Sequence, residues 1–194
     1  MSINSAIGES IDLINSAVLR KKIQSILKQN IPNDLSSDDS RFEAMTGWNT
    51  AKLRAEWAAH RNTTSCNSFN AWVAQQSGAR PGGYLARGFL DISMCEQEVP
   101  GSWIWANSSE AIDTNQHPLP GDFYASPTAI QKFAHVGVVY SFDEVAQTWT
   151  LVEGGQGGPR SNMEFIRWNK DKPFHRDKIN GWVDIVKYIF SNVP

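Results

Sequence analysis

One cysteine and one histidine in this chain of 194 residues have the surroundings of a catalytic pair. Cys66 follows the helix-capping candidates Thr63, Thr64 and Ser65, and a helix start favours a thiolate because free backbone N–H groups and the helix dipole stabilise negative charge. His135 opens a Val-rich segment, where its imidazole could take or hold the thiol proton. The competing interpretations are a small buried hydrophobe for Cys66 and a structural side chain for His135.

A third group would orient the imidazole, and we expect it on the neighbouring strand. Glu153 lies 18 residues after His135, at the end of the segment predicted to pair with the histidine's strand, so a hairpin can bring the two side chains together. Gln156 and Asp122 are the alternatives. A solvated carboxylate at a strand end is the competing interpretation of Glu153.

Three helices are predicted to come first in the chain. Apolar residues spaced three and four apart predict a helix that begins near Ile7 and ends before Pro32. Residues 33–40 are predicted to be a loop, and a second helix is expected from about Asn49 to His60. A third helix begins around Cys66 and stops at Gly78, which places the cysteine above the face that packs inward.

The second half of the chain predicts strands, beginning with an antiparallel hairpin. The expected order is strand 135–142, strand 148–153, a Gly-rich break at 154–159, strand 163–168 and a strand or short helix at 181–190. Residues 79–120 are predicted to be irregular with short strands. Helices followed by strands, without βαβ alternation, predict an α+β fold with N-terminal helices packed on an antiparallel sheet.

Composition and charge exclude several classes of partner. The net charge is −2 and no block of like charge occurs, so neither nucleic acid nor an anionic membrane is an expected partner. No apolar run is long enough for a membrane helix, and no secretory signal is recognisable, so we expect synthesis in the cytoplasm. Among the eight tryptophans, Trp103 or Trp105 could line a carbohydrate or peptide groove, although core packing is the commoner role.

The two cysteines and four histidines predict no metal centre and no cofactor. Neither Cys-x-x-Cys nor His-Glu-x-x-His occurs. Cys66 and Cys95 could form a disulfide in an oxidising compartment, but the absence of a signal favours free thiols.

Four short motifs follow one another between residues 63 and 156. They are Thr64-Ser-Cys-Asn-Ser-Phe-Asn-Ala-Trp-Val, Pro120-Gly-Asp-Phe-Tyr, Ala134-His-Val-Gly-Val-Val and Trp149-Thr-Leu-Val-Glu-Gly-Gly. Their order, and the separation of 69 positions from Cys66 to His135, resemble the CHAP amidase and peptidase family of papain-like peptidoglycan hydrolases. Two departures are Ala134 in place of the usual glycine and Gly155 where many members have asparagine, and the second leaves Gln156 open as the orienting group.

The resemblance implies a papain-like cysteine hydrolase domain at residues 46–194, with a helical extension at residues 1–45. Cys66 would be the nucleophile, His135 the base and Glu153 the orienting group, with no cofactor. Asn62 or the backbone N–H of Cys66 could form an oxyanion hole. The implied substrate is an amide bond of peptidoglycan, cut by an amidase or an endopeptidase.

A wall hydrolase without a secretory signal would need another route to its substrate. We expect either an antibacterial effector, a toxin exported by a specialised machine such as type VI secretion and matched by a periplasmic immunity protein, or a phage-type lysin. Two alternatives remain on the same scaffold: a deamidase or protease acting on host proteins, and a catalytically inert papain-like binding module.

Overall fold

The structure is a computed structural model that describes residues 3–60, 64–127 and 135–191, with side chains from residue 13 onward. The helices of this part of the chain are α1 Ile3–Asn30, α2 Ser40–Thr46, α3 Thr50–Ala58, α4 Cys66–Ser77, α5 Cys95–Glu98, α6 Ser109–Asp113 and α7 Ile185–Phe190. The strands are β1 Leu35–Ser36, β2 Trp103–Trp105, β3 Phe123–Ser126, β4 His135–Asp143, β5 Thr148–Gly158, β6 Met163–Pro173 and β7 Gly181–Val183.

All seven described strands form one antiparallel sheet in the order β1-β6-β5-β4-β3-β7-β2. The predicted α+β fold, with N-terminal helices preceding an antiparallel sheet, is confirmed. No helix in the described ranges is both long and apolar enough to span a membrane.

One face of the sheet carries the main core. Alternation along β4 directs Val136 and Val138 towards the helices, where they meet Phe69 and Val73 of α4 and a buried stripe of α1. That stripe, Leu19, Ile23 and Leu27, repeats every four residues and so occupies one side of the helix, and Ile31, directly after α1, continues it. The predicted extension at residues 1–45 therefore shares its core with residues 46–194.

The other face of the sheet carries a second, aromatic cluster. Tyr124, Trp149 and Trp182 form it together with Leu151. Residues from α6 and from the segment before β7 cover these rings. Both faces of the sheet are thus buried near β3, β4 and β5, so polar side chains on these strands must find hydrogen-bond partners.

Local signals explain how α4 begins and ends. Its helical conformation starts at Cys66 and stops at Gly78, which has a φ of 106° in the left-handed region, as the sequence predicted. The predicted second helix is also confirmed, since α3 has Asn49 as its N-cap and the side chain accepts a hydrogen bond from the Lys52 N–H.

Two predictions about the chain between elements are wrong. Residues 33–40 contain the short strand β1, because Leu35 and Ser36 pair with β6. The Gly-rich run 154–159 does not break the sheet: β5 continues to Gly158, and an irregularity between Glu153 and Gln156 absorbs the extra residues. For residues 181–190 the sequence predicted a strand or a short helix, and the structure has both, since strand β7 is followed by helix α7.

Candidate active site

The first residue of α4 and the first residue of β4 meet at one edge of the sheet. Cys66 begins α4 and is 1% exposed, while His135 begins β4 and its side chain is 22% exposed. The two side chains interact electrostatically, because the imidazole lowers the pKa of the thiol and the thiol raises the pKa of the imidazole. The structure therefore brings together the two residues that the sequence predicted as nucleophile and base.

Three groups act on the sulfur of Cys66. Burial raises the pKa of the thiol, but the hydrogen bond and charge of His135 oppose it, joined by the Thr64 hydroxyl, 3.1 Å from Sγ, and the Val136 backbone N–H. The net result is a pKa below the ordinary value of 9.0. The surroundings of Cys66 thus favour its thiolate form, with His135 as the neighbouring group of opposite charge.

The Glu153 carboxylate binds the Nε2 atom of the His135 imidazole. Its Oε1 lies 2.9 Å from His135 Nε2, and the carboxylate also accepts hydrogen bonds from the Tyr124 hydroxyl and the Asn169 side-chain amide. Burial raises the pKa of this carboxyl, but these donors outweigh it and the pKa lies below its ordinary value. Glu153 is 7% exposed, so the exposed-carboxylate interpretation does not hold.

The pKa of His135 follows from the same contacts. Burial lowers it, but hydrogen bonds and charges from Cys66 and Glu153 raise it to about 10. Because one carboxylate and one thiolate flank the ring, the imidazolium is the stable form near neutral pH. The ring can therefore hold a proton ready for a leaving group.

Gln156, the predicted alternative, reaches the same ring nitrogen. Its side-chain amide lies 3.1 Å from His135 Nε2, and Gln156 is half-buried. The proton on His135 Nε2 is donated to Glu153. A second N–H group facing that nitrogen would be unfavourable, so we orient the Gln156 amide with its oxygen, rather than its NH₂ group, towards Nε2. Gln156 is thereby a second, weaker acceptor beside the carboxylate.

Asp122, the other alternative, takes no part in this group of contacts. It binds Arg20 of α1 at 2.7 Å and accepts the backbone N–H of Leu119 at 2.8 Å. Burial raises the pKa of Asp122 to about 6. Through Arg20, Asp122 connects α1 to the Pro-Gly-Asp turn. A role in orienting His135 is therefore not supported for Asp122.

A donor for an oxyanion is present at the start of α4. The first backbone N–H groups of a helix have no partner within the helix, and the Ser65 side chain does not cap them. The N–H of Cys66 is thus a candidate for the oxyanion hole. Asn62, the other predicted donor, lies outside the described residues.

Two glycines let β5 pass directly over the start of α4. A Cβ on Gly154 would meet Phe69 Cβ at 2.8 Å and Cys66 Cα at 3.3 Å. A Cβ on Gly155, whose φ is +70°, would come within 3.1 Å of the Cys66 nitrogen. Only glycine permits this approach without a shift, and it is this approach that brings Glu153 and Gln156 to the histidine.

A buried carboxylate near Cys66 was not predicted. Glu164 of β6 is 0% exposed, and its Oε2 accepts the Ser65 backbone N–H at 2.9 Å. Burial raises the pKa of Glu164. Its contact fixes the residue that immediately precedes Cys66, and nothing in the local sequence separates Glu164 from an exposed strand residue.

Tyr124 and Asn169, which bind Glu153, were also missed. Tyr124 stands in the Pro-Gly-Asp-Phe-Tyr motif, and its register opposite Gly137 puts the two residues on one face of the sheet. Knowledge of how β3 pairs with β4 would have predicted that Tyr124 lies near His135 and Glu153. Asn169 had no such signal.

Cys95 has no part in the contacts between Cys66 and His135. Both cysteines are free and buried, and burial raises the pKa of Cys95 to about 12. Within the described ranges, no group of three or more His, Cys, Asp and Glu side chains is arranged to hold a metal ion.

Comparisons with protein-family models, with curated proteins and with solved structures find no match to this chain. The geometry of the site and the resemblance of its motifs are therefore the grounds on which a function is inferred.

Proposed function

We propose that this protein is a cysteine hydrolase that cuts amide bonds of bacterial peptidoglycan, as an amidase or an endopeptidase. The observation that carries the proposal is the chain of contacts from the Cys66 thiol through His135 to the buried Glu153 carboxylate. A nucleophile, a base and a group that orients the base are the parts that acyl transfer by covalent catalysis requires.

The acylation step uses the ion pair directly. The Cys66 thiolate attacks the amide carbonyl carbon, forming a C–S bond, and the carbonyl oxygen becomes an oxyanion facing the Cys66 N–H. The His135 imidazolium gives its proton to the amide nitrogen as the C–N bond breaks. A thioester on Cys66 and a free amine result.

Deacylation reverses the role of the histidine. Neutral His135 takes a proton from water while the water oxygen attacks the thioester carbonyl, and the C–S bond breaks to release a carboxylic acid. The thiolate and the imidazolium are restored. Glu153 stabilises the imidazolium in both resting and product-release states without exchanging a proton itself.

The substrate class rests on the motif resemblance, which points to peptidoglycan. On this proposal the protein acts in a bacterial envelope. Delivery by a specialised secretion route and a periplasmic immunity protein covering the cleft belong to the same proposal.

Purified sacculi provide the test, and the two cysteines provide a matched pair of variants. The wild type should release fragments with new carboxyl and amino ends, identified by mass spectrometry. Cys66→Ala should lower the rate by at least about a thousandfold, because removing the nucleophile of a catalytic triad has effects of this order. Cys95→Ala should keep the rate, because that thiol is buried and stays protonated.

The result that would sink the proposal is a Cys66→Ala protein that cuts sacculi as fast as the wild type. Intact sacculi combined with cysteine-dependent conversion of protein glutamine to glutamate, a mass gain without chain cleavage, would instead identify a deamidase.

A further inference from the structure

The carboxylate of Glu164 holds the residue at which α4 begins. Glu164 is fully buried, and its Oε2 accepts the Ser65 backbone N–H at 2.9 Å. Ser65 is the N-cap of α4, and its carbonyl accepts the Phe69 N–H at 2.9 Å in the first helical turn. Ser65 is thus bound on one side by β6 and on the other by its own helix. Cys66 is the next residue, so whatever moves Ser65 also moves the thiol.

The backbone that carries the Glu164 side chain is itself anchored. Its N–H donates to the Ser37 hydroxyl at 3.2 Å, and its carbonyl accepts the Ser37 N–H at 2.8 Å. Ser37 continues the chain of contacts to α3, since its carbonyl accepts the N–H of Thr50 at 3.0 Å and the two hydroxyls are hydrogen-bonded. Ser37 and Thr50 are both buried. The carboxylate therefore projects from a fixed support.

The start of α4 is also in close contact with β5. A Cβ on Gly154 would lie 3.2 Å from the Ser65 carbonyl oxygen and 3.3 Å from Cys66 Cα. His135 belongs to β4, on the other side of β5 from β6. A shift of the helix start on these strands would therefore change the distance between the thiol and the imidazole. A displacement of about 1 Å in a catalytic group can lower a rate about a hundredfold.

Stability alone does not explain a carboxylate at this place. Glu164 Oε1 is buried and has no hydrogen-bond partner within the described part of the chain. Burial raises the pKa of the group, which is the sign of a desolvation cost. One backbone N–H is a small return for burying a carboxyl group with one oxygen unpaired. Proteins accept such costs mainly at functional sites.

We infer that Glu164 is a positioning residue, which sets the place of Cys66 relative to His135 by accepting the Ser65 N–H. The inference rests on the proposed function, because its effect on rate needs a reaction at Cys66. The role requires an acceptor oxygen and does not require a negative charge. A glutamine oxygen at the same place should therefore serve as well.

Two substitutions of similar length separate the acceptor from the rest of the side chain. Glu164→Gln keeps an oxygen for the Ser65 N–H, and Glu164→Met removes it. On soluble peptidoglycan fragments, Glu164→Met should lower kcat at least about tenfold and leave KM within about twofold. Glu164→Gln should keep kcat within about threefold of the wild type.

Alkylation of Cys66 by iodoacetamide gives a second measurement that needs no substrate. The rate is followed against pH by mass spectrometry of the peptide that contains Cys66. In Glu164→Met the midpoint should move up towards the ordinary thiol pKa of 9.0, because the thiol is displaced from His135. In Glu164→Gln the midpoint should stay at the wild-type value. A merely structural role of Glu164 would lower the Tm without moving this midpoint.

Glu98→Met is the matched control variant. Glu98 is half-buried, and its carboxylate likewise accepts a backbone N–H, that of Tyr84, at 2.8 Å. The same substitution there should lower the Tm and leave kcat and the alkylation midpoint unchanged. Where Glu164→Met does not fold, Glu164→Asp takes its place. Its side chain is one methylene shorter, so it keeps the charge, withdraws the oxygen from Ser65 and should show the same losses.

The outcomes separate this role from the hydrolase proposal. A folded Glu164→Met protein with the wild-type kcat and midpoint overturns the inference. Equal losses in Glu164→Gln and Glu164→Met also overturn it, because the charge would then be what matters, and equal losses in Glu98→Met assign the effect to general stability. A wild type that leaves every fragment intact rejects the hydrolase. A midpoint that moves in Glu164→Met alone then still supports the positioning of Cys66.

Discussion

Replacing Glu153 with glutamine tests whether a buried charge holds His135 ready for catalysis. The carboxylate accepts hydrogen bonds from His135, Tyr124 and Asn169. A glutamine oxygen can still accept from the imidazole and the phenol, while its NH₂ group faces the amide of Asn169. Because Asn169 is half-buried, its amide can turn to offer an oxygen instead. The shape of the site is thus kept and its charge is lost.

The expected magnitude follows from these contacts. Hydrogen bonds to charged groups contribute about 1.5–3 kcal/mol and neutral ones about 0.5–1.5 kcal/mol, so the His135 contact loses roughly 1–1.5 kcal/mol. Since 1.36 kcal/mol is a factor of ten in rate, we expect kcat/KM to fall about tenfold. The pKa of His135, which Glu153 helps to raise to about 10, should fall as well.

Glutamine is the useful replacement because leucine would remove the acceptor altogether. The buried Tyr124 hydroxyl and the half-buried His135 and Asn169 side chains would then lose their acceptor. A buried donor without a partner costs about 1–3 kcal/mol, so the combined loss is a substantial part of a whole stability of about 5–15 kcal/mol. A leucine variant should therefore not fold stably, whereas Glu153→Gln should unfold only a few degrees below the wild type.

The assay is the pH dependence of kcat/KM for wild type, Glu153→Gln and Gln156→Ala. The high-pH limb, which reports loss of the His135 proton, should move to lower pH in Glu153→Gln. Gln156→Ala should have the smaller effect, because water can replace a half-buried neutral amide. A Glu153→Gln enzyme with the wild-type rate and limb, beside an inactive Gln156→Ala, would refute the reasoning and transfer the role to Gln156.

Three further predictions concern the thiol, the glycine contact and the anchor of α1. Alkylation of Cys66 by iodoacetamide should rise and level off below the ordinary thiol pKa of 9.0, measured as rate against pH. Gly154→Ala should lower both kcat/KM, by at least about tenfold, and the Tm, since its Cβ meets Phe69 Cβ at 2.8 Å and β5 must move. Arg20→Met should lower the free energy of unfolding, measured in urea, by about 3 kcal/mol at pH 8 and by less at pH 5. The reason is that burial raises the pKa of Asp122 to about 6, and only the ionised carboxylate requires the Arg20 charge as a partner.

Each of these three has an internal control. Cys95 should resist alkylation over the same pH range, because burial raises its pKa to about 12, and faster labelling of Cys95 would contradict the assigned nucleophile. Gly158→Ala adds a Cβ with no atom within 4 Å at a φ of +81°, so it introduces backbone strain of about 1–2 kcal/mol without a clash at Cys66. Equal activity losses at the two glycines would reject the contact argument, and an Arg20→Met loss independent of pH would reject the ion pair.

The helix that begins at Cys66 could be predicted because its signals are local. Polar residues before Cys66 and a glycine at position 78 mark the two ends of α4 within a dozen residues. The closeness of His135 and Glu153 was likewise predictable, since both lie in one hairpin and the length of its turn fixes which residues face each other.

The parts that could not be predicted depend on distant pairing. In sequence, Glu164 resembles an exposed position of the alternating strand β6. In the structure it is buried and accepts a hydrogen bond from the Ser65 N–H, 99 residues away in sequence. Strands β1 and β2, of two and three residues, are too short for periodicity to reveal. They exist only because β6 and β7 offer a hydrogen-bonding edge.

The sheet order has a consequence for the nascent chain. β2 hydrogen-bonds only to β7 within the described sheet, and β7 is synthesised long after it. About 80 residues separate the two strands, so at roughly 5–20 residues per second the Trp103-Ile104-Trp105 segment leaves the ribosome about 4–16 s before its partner. During this interval two tryptophans and an isoleucine are without the strand that shelters them. High-temperature overproduction should therefore favour inclusion bodies, and slow translation in the cold, or a chaperone that binds short aromatic segments, should raise the folded yield.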